Sequence, residues 1–279
     1  MLAAISLLTD QDPKIAGACR EQILRWGSDV RGLLEQTCKE GAPELRRVSR
    51  RMLCGLDRRE WCERVADYAA RIPSSGQMSW QDLEEGAVLL SSVGRVGQVD
   101  RRSLARVLDG FADELRPRFV NKSAVTCAKL LVGYLSSQLG FGGSMSSFYE
   151  LSNIHFDKVL DLRRGVPVVL TLLYILVGRR AGLKVAGVAI PDHFLVRVHG
   201  TRPVLLDPYH EGRHVTKADC TRYLRMAGYS LHTTSYLEDV HDRQILDCLL
   251  RDLLRVYGYR EDNEFCSVLE TARQTLMQA

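Results

Sequence analysis

The feature that most constrains the fold is an apolar run at residues 166–178, VPVVLTLLYILVG, which carries no charged side chain. Pro167 suits the first turn of a helix, where its missing N–H costs nothing, and Gly182 suits a helix end. We therefore predict a helix over residues 168–180 that is apolar on nearly all sides. Such a helix has to be buried, and it is too short to span a bilayer.

Three short runs rich in Val, Ile and Leu follow this helix, at residues 185–190, 193–199 and 204–206. Pro or Gly separates the runs, a pattern typical of an antiparallel sheet. A buried helix that leads directly into such a sheet indicates an α+β arrangement.

His193 and Asp207 lie symmetrically about Gly200. A hairpin with its apex near Gly200 places them opposite one another within a residue or two, and facing positions have Cβ atoms about 4.5–5.5 Å apart. An Asp at that distance can orient the His imidazole, as an acyl-transfer triad requires. The residues alone leave open an ordinary hairpin with an edge His and an Asp-Pro turn.

Helices are expected on both sides of this core. Asp12 and Pro13 predict the N-cap and first residue of a helix that Gly27 ends. Further helices are predicted at 29–39, 43–56, 59–72, 80–92, 100–115, 122–139, 217–226, 240–258 and 261–277. The N-terminal helices fit either a HEAT-type stack or an ordinary bundle.

We predict a helical HEAT-like or bundle region over residues 1–72, a core domain over 80–215 and a C-terminal helical hairpin over 216–279. Within the core domain, a helical lead-in covers 80–150 and the helix-plus-sheet core covers 151–215. The segment PSSGQMS at residues 73–79 has the composition of a linker.

The composition, with 46% hydrophobic and 26% charged residues, is that of a soluble globular protein. A net charge of +4 is too small to indicate nucleic-acid binding. The N-terminus lacks the basic region of a signal peptide. The eight cysteines are scattered without a CxxC motif, which favours free thiols in a reducing cytoplasm. We expect a cytoplasmic protein that binds neither nucleic acid nor membrane.

Several histidines lie near the core in the sequence without an HxH or HExxH spacing, namely His155, His199, His210 and His214. Metal sites built on neighbouring elements usually show such spacings. We interpret these histidines as scattered surface residues and predict no metal site and no cofactor.

The motifs RRGVP, PDHFLVR and LDPYHEG, with the segment SSQLGF and the lead-in over 153–167, together resemble the transglutaminase-like core of the bacterial SirB-one family. That family belongs to the papain-like superfamily, and the resemblance runs from about residue 80 to residue 274. It implies a helix-plus-antiparallel-sheet core followed by a tetratricopeptide-like helical tail.

The resemblance also implies a triad in which a Cys at the N-terminus of the buried helix attacks an acyl carbon, because a helix N-terminus lowers the thiol pKa. His193 and Asp207 match the His and Asp of that triad. The nucleophile position falls at Pro167, Val168 and Val169, and none of these side chains can attack. Many relatives have a Ser at about position 169.

Three other side chains are candidates for the missing nucleophile. Thr171 is expected inside the helix, bonded to its own backbone. Cys127 and Cys220 fall in helical stripes and are interpreted as small buried hydrophobes.

Arg163 and Arg164 precede the buried helix directly. We interpret them as structural partners of Asp157, Asp161 or an acid elsewhere. The alternative is that they bind an anionic ligand near the helix N-terminus.

Asn153 matches the family's lead-in, where a capping or loop-fixing role suffices. Asp192 stands beside His193, where the family commonly has Gly, and its larger side chain is expected to narrow the cleft.

The sequence thus predicts a non-catalytic transglutaminase-like protein that binds another protein, rather than a small molecule, through its helices or its cleft. The alternative is a papain-like acyl-transfer enzyme or hydrolase that uses His193 and Asp207 with an unidentified nucleophile.

Overall fold

A computed structural model describes residues 1–73, 78–95, 98–144, 150–229 and 237–278. Most of the predicted linker over 73–79 therefore lies outside the described residues. The chain divides into two compact units. The first consists of Met1–Arg64 and Val93–Val96, and the second of Val65–Ser92 and Gly97–Ala279.

The α-helices of the described residues follow one another in chain order. They are α1 (Leu2–Ser6), α2 (Pro13–Trp26), α3 (Arg31–Glu40), α4 (Pro43–Arg71), α5 (Trp80–Ser91), α6 (Arg101–Phe119), α7 (Ala124–Val132), α8 (Phe156–Leu162), α9 (Pro167–Arg180), α10 (Lys217–Met226), α11 (Asp242–Tyr259) and α12 (Asn263–Gln278).

The first unit is helical around a small apolar core. The side chain of Asp12 accepts a hydrogen bond from Lys14 N–H and caps α2, and Gly27 follows α2 with φ 58°. The core residues come from α1 to α4 and the turns between them: Ile5, Leu8, Ile23, Val30, Leu34, Met52 and Leu56.

One prediction for the N-terminal region is wrong. The sequence suggested separate helices over 43–56 and 59–72, but α4 runs without a break from Pro43 to Arg71. Neither Gly nor Pro lies between Leu56 and Arg59 to end a helix. An Arg59–Glu63 ion pair of 3.0 Å one turn apart also stabilises the continuous helix.

The second unit contains the predicted antiparallel sheet, which confirms the α+β fold class. Strands β3 (Val185–Ile190), β4 (His193–Val198), β5 (Val204–Asp207) and β6 (Arg213–Val215) form a meander in chain order. Two short segments, β1 (Gly142–Gly143) and β2 (Arg164–Gly165), pair in parallel. The sequence did not predict β6, whose three residues include one apolar side chain.

Helix α9 is the centre of this unit, as predicted. All of its residues except Arg179 are buried, and it packs against β3, β4, α5, α6 and α11. Gly178 permits the close approach to the sheet, since a Cβ there would lie 2.8 Å from Val185. Gly182 follows the helix with φ 90°, a conformation that favours glycine.

The C-terminal helices α11 and α12 form the predicted hairpin, in which the rings of Tyr257 and Phe265 stack at 4.8 Å. Arg179 at the end of α9 donates two hydrogen bonds, of 2.7 and 2.8 Å, to the buried carboxylate of Asp242 at the start of α11. Within the described residues, no helix is both long and apolar enough to cross a bilayer.

Candidate functional site

His193 and Asp207 lie in direct contact at one end of the sheet. His193 begins β4 and Asp207 ends β5, and Nε2 of His193 lies 2.9 Å from Oδ1 of Asp207. Because Val196 pairs with Leu206, the ladder register would place Asp207 opposite residue 195. The two side chains therefore meet on a diagonal, two residues from strict opposition.

Asp207 is almost fully buried, and a second histidine holds its carboxylate. His210 donates its backbone N–H to Oδ1 at 3.2 Å, and its ring Nδ1 lies 2.7 Å from Oδ2. Burial by itself raises the pKa of Asp207. The hydrogen bonds and charges of His193 and His210 outweigh burial and hold that pKa below its ordinary value. Asp207 therefore stays a carboxylate that orients both rings.

The turn after Asp207 is fixed by close packing. Gly212 has φ 74°, and a Cβ there would lie 2.7 Å from Val132. Tyr209 accepts a backbone hydrogen bond of 2.8 Å from Gly143 N–H, and a Cβ on Gly143 would lie 2.5 Å from the Tyr209 ring. Because a Cβ at either glycine would collide with a neighbour, both glycines allow the turn that carries His210 to pack closely.

Aromatic rings surround His193. The ring centroids of Tyr209, His210 and Tyr223 lie 5.9, 5.5 and 6.3 Å from that of His193. Tyr223 also donates its hydroxyl to the carbonyl of Pro191 at 3.2 Å. These contacts restrict rotation of the His193 ring.

The N-terminus of α9 lies beside His193, where the triad nucleophile was expected. Pro167 and Val168 line a cavity of about 400 Å³ together with His193. Val169 is fully buried inside the helix. The described residues that line this cavity present no hydroxyl or thiol from α9.

Thr171 does not behave as expected. Its hydroxyl is fully buried and has no hydrogen-bond partner among the described residues, so the predicted bond to its own backbone is wrong. Thr171 is also absent from the cavity lining.

The opposite side of the cavity comes from α11, which sequence reasoning did not connect with the site. Cys248, Arg251, Asp252 and Arg255 line it. Burial raises the pKa of Asp252 to about 6 against the lowering effect of Arg255 and Arg251. The spacing of these four residues places them on one face of a predicted helix. That spacing was the one sequence signal that they lie together.

Asp192 occupies a strained position in the β3–β4 turn. It is the second of the two turn residues, with φ 56°, a conformation that favours glycine. Its side chain is 67% exposed and lies 3.8 Å from Arg255 across the cavity mouth. Glycine would adopt this conformation without strain, and the predicted narrowing of the cleft stays a prediction.

Arg163 and Arg164 make contacts other than the expected ones. The Arg163 guanidinium lies 4.5 Å from the centre of the Phe141 ring, and Arg164 donates to the carbonyl of Gly140 at 2.6 Å. The expected partners Asp157 and Asp161 instead lie 3.9 and 3.6 Å from Nζ of Lys158. Both arginines hold the segment before α9 through rings and backbone.

Asn153 has a structural position that fits the predicted loop-fixing role. It is buried, and its carbonyl accepts a hydrogen bond of 3.0 Å from Val166 N–H, directly before α9.

The interpretation of four histidines as scattered surface residues is wrong for His155, whereas His210 is exposed as predicted. His155 is buried and its ring contacts the carbonyl of Ser91, and His210 belongs to the Asp207 network. His199 lies 2.6 Å from Asp239, and His214 is exposed. The spacing of Asp207 and His210 across an Asp-Pro turn was the signal available in the sequence.

All eight cysteines are free thiols, as predicted. Cys127 and Cys220 are buried, and burial raises the pKa of both thiols, which fits their interpretation as small hydrophobes. Cys248 is the one cysteine among the described residues that line the cavity.

A buried helix packed on an antiparallel sheet, with a strand His hydrogen-bonded to an Asp on the next strand, is the arrangement of a transglutaminase-like domain. Residues 102–251 match the family model described as the Transglutaminase-like superfamily. This match covers more than half of the chain, and the protein belongs to that superfamily.

Similar curated proteins carry few functional terms in their names. A UPF0162 protein of Xylella fastidiosa is 32% identical over 131 residues, or 45% of this chain and 47% of that protein. A UPF0162 protein of Vibrio cholerae is 33% identical over 73 residues, 25% of this chain and 27% of that protein. F-box only protein 21 of Mus musculus is 30% identical over 137 residues, 46% of this chain and 21% of that protein.

The chain thus spans about half the length of the Xylella relatives that it matches, and less of the other two. No solved structure matches the chain.

Proposed function

We propose that this protein is a non-catalytic transglutaminase-like module of the SirB-one type, which acts in the cytoplasm by binding a segment of another protein in its cleft. The observation that carries the proposal is the lining of the cavity beside His193. Pro167 and Val168 line this cavity, and the family resemblance assigns the nucleophile to their positions. A proline and a valine cannot form an acyl intermediate, whereas they offer apolar surface to a bound chain.

The rest of the cavity fits a polypeptide ligand. Apolar side chains of Ile190 and Phe194 lie on the sheet side, and Arg251 and Arg255 lie on α11. A volume of about 400 Å³ accommodates a few side chains, and the charged rim adds specificity. The HEAT-like and tetratricopeptide-like character predicted for the flanking helices would add further binding surface.

One observation favours the enzymatic alternative. Cys248 lines the same cavity as His193, so an acyl-transfer enzyme with its nucleophile on α11 is the second candidate. Burial raises the pKa of the Cys248 thiol, and the hydrogen bond of 3.1 Å from Arg251 only partly opposes this. Since the thiolate is the reactive species, Cys248 is a poor nucleophile near neutral pH.

Photo-crosslinking from the cleft tests the binding function. A photoreactive phenylalanine replaces either Tyr229, which lines the cavity, or Tyr259, which is 71% exposed at the end of α11. We expect Tyr229, but not Tyr259, to crosslink one defined protein in cells that express the chain.

A matched pair of cavity variants makes this test specific. Ala189 and Ala186 are half-buried residues of β3, and only Ala189 lines the cavity beside His193. Ala189→Tyr should abolish the crosslink and weaken binding of the purified partner at least about tenfold, whereas Ala186→Tyr should leave both unchanged. Equal crosslinking in the two variants, or equal crosslinking from Tyr229 and Tyr259, would refute the proposal.

A further inference from the structure

We propose that His193, Asp207 and His210 form a binding site for one divalent transition-metal ion of the zinc class. Each residue offers one ligand atom, and these atoms all lie within 4.8 Å of one another. The three residues come from the start of β4, the end of β5 and the turn that follows, so the site joins two strands and a turn.

The atoms of the cluster are joined by hydrogen bonds that an ion would replace. Nε2 of His193 lies 2.9 Å from one oxygen of Asp207, and Nδ1 of His210 lies 2.7 Å from the other. Ligands that surround an ion tetrahedrally at about 2.0–2.2 Å are separated from each other by roughly 3.4 Å, so each pair has to part by less than about 1 Å. An ion can therefore enter with small side-chain rotations.

The donor set selects the metal class. Two imidazoles with one carboxylate are typical ligands of Zn²⁺, whereas Mg²⁺ and Ca²⁺ prefer oxygen alone. Three protein ligands leave a fourth position for water. The His210 side chain is 51% exposed, which gives an ion a path from solvent.

The surrounding fold holds the ligands before an ion arrives. Gly212 and Gly143 fix the turn that carries His210, and Tyr209 and Tyr223 restrict the ring of His193. A preorganised set of ligands loses little conformational entropy on binding. Arg213 brings a positive charge near the site, with Nη2 3.9 Å from Oδ2 of Asp207 and a side chain that is 65% exposed.

Metal binding would change what His193 can do. An ion on Nε2 takes the lone pair of that nitrogen, and the proton that faced Asp207 moves through water to Nδ1. The imidazole then has no free lone pair with which to act as a general base. The metal site agrees with the non-catalytic cleft but does not depend on it.

The test is titration of the full chain, stripped of metal by chelator dialysis, with Zn²⁺ by calorimetry and with Co²⁺ by visible absorption. We expect one bound ion per chain and a higher unfolding temperature in its presence. His210→Ala and Asp207→Ala should each weaken binding more than about 100-fold, since even outer-shell partners of a ligand typically cost 10–100-fold.

Two variants are matched controls. His214→Ala removes an exposed imidazole of β6 outside the cluster, and Cys54→Ser removes an exposed thiol. Both should bind Zn²⁺ as the parent chain does.

Arg213→Ala should bind Zn²⁺ about fivefold more tightly, because a nearby positive charge is removed.

The structural role of His210 is checked by the unfolding temperature of metal-free His210→Ala, which we expect to stay close to that of the parent chain. The proposal is overturned if the parent chain binds no Zn²⁺ at micromolar concentration, or if binding survives His210→Ala and is lost in Cys54→Ser. Neither outcome affects the cleft crosslinks, so failure of this proposal is distinguishable from failure of the proposed function.

Discussion

Nε2 of His193 lies 2.9 Å from Oδ1 of Asp207, within hydrogen-bond distance. His193 also lines a cavity to which α9 contributes Pro167 and Val168. A His–Asp pair orients an imidazole, but acyl transfer also needs an attacking atom within reach of that imidazole. The described residues supply a His–Asp pair in hydrogen-bond contact. Pro167 and Val168, at the positions to which the family resemblance assigns the nucleophile, have apolar side chains. This combination is what the proposed binding function rests on.

Asp252 should make the chain less stable as pH rises. Burial raises its pKa from 3.8 to about 6 in the folded protein, so the folded state binds more protons than the unfolded state between about pH 4 and pH 6. The free energy of unfolding therefore falls across that window, by about 2–3 kcal/mol for this group. Arg251, Arg255 and Asp192 are the charged groups that face it.

The check is urea unfolding of the parent chain and Asp252→Asn at pH 4 and pH 7.5. The variant should be nearly as stable as the parent at pH 4 and more stable at pH 7.5. Asp113→Asn, at an exposed carboxylate on α6, should show no such difference. If the parent chain became more stable relative to Asp252→Asn as pH rises, the pKa of Asp252 would be shifted in the opposite direction.

The Arg179–Asp242 pair should be important for stability because it joins the end of α9 to the start of α11. Asp242 is 2% exposed and also accepts Met78 N–H at 3.2 Å. Asp242→Ala should cost about 3 kcal/mol of unfolding free energy, since it leaves a partly buried cation without its partner. A double-mutant cycle with Arg179→Ala measures the coupling, and additive losses would show that the pair contributes nothing specific.

Gly86 should not tolerate a methyl group. A Cβ there would lie 2.4 Å from the Tyr68 hydroxyl oxygen and 2.7 Å from a methyl of Leu246. We expect Gly86→Ala to lower the free energy of unfolding by about 1–3 kcal/mol. Gly110 of α6 has open space around it, so Gly110→Ala should raise stability by up to about 1 kcal/mol. Thermal unfolding of both variants gives the comparison, and an unfolding temperature of Gly86→Ala equal to that of the parent would argue against this packing.

Asp192→Gly should stabilise the chain by about 0.5–1 kcal/mol, because glycine adopts φ 56° without strain. The exposed contact with Arg255 that it loses contributes little. Asp192→Asn removes the charge and keeps the strained conformation, and it should leave the chemical-denaturation midpoint near that of the parent. A midpoint raised equally by both variants would assign the effect to charge instead of backbone strain.

Much of the core followed from local sequence signals. The apolar run with Pro167 and Gly182 at its ends predicted α9 closely, and the Val-rich runs predicted β3, β4 and β5. These elements have strong signals because helix ends and buried strands depend on residues next to one another in the chain.

The remaining parts of the site depend on contacts between distant residues. Nothing local indicated that Cys248 and Asp252 of α11 face His193, since only tertiary packing brings α11 there. The break predicted between Leu56 and Arg59 is wrong because no Gly or Pro lies between these residues to end the helix. His210 lay within reach of Asp207, but spacing rules for metal motifs did not cover a three-residue Asp-Pro turn.

The most direct measurement of the central claim is the rate of chain acylation by an activated ester, followed by intact-mass spectrometry in the parent chain, His193→Ala and Cys248→Ser. A non-catalytic cleft predicts slow, distributed labelling whose rate agrees within about twofold among the three proteins. A single acyl adduct that forms rapidly in the parent chain and is lost in His193→Ala would contradict the claim, and its loss in Cys248→Ser as well would identify α11 as the source of the nucleophile.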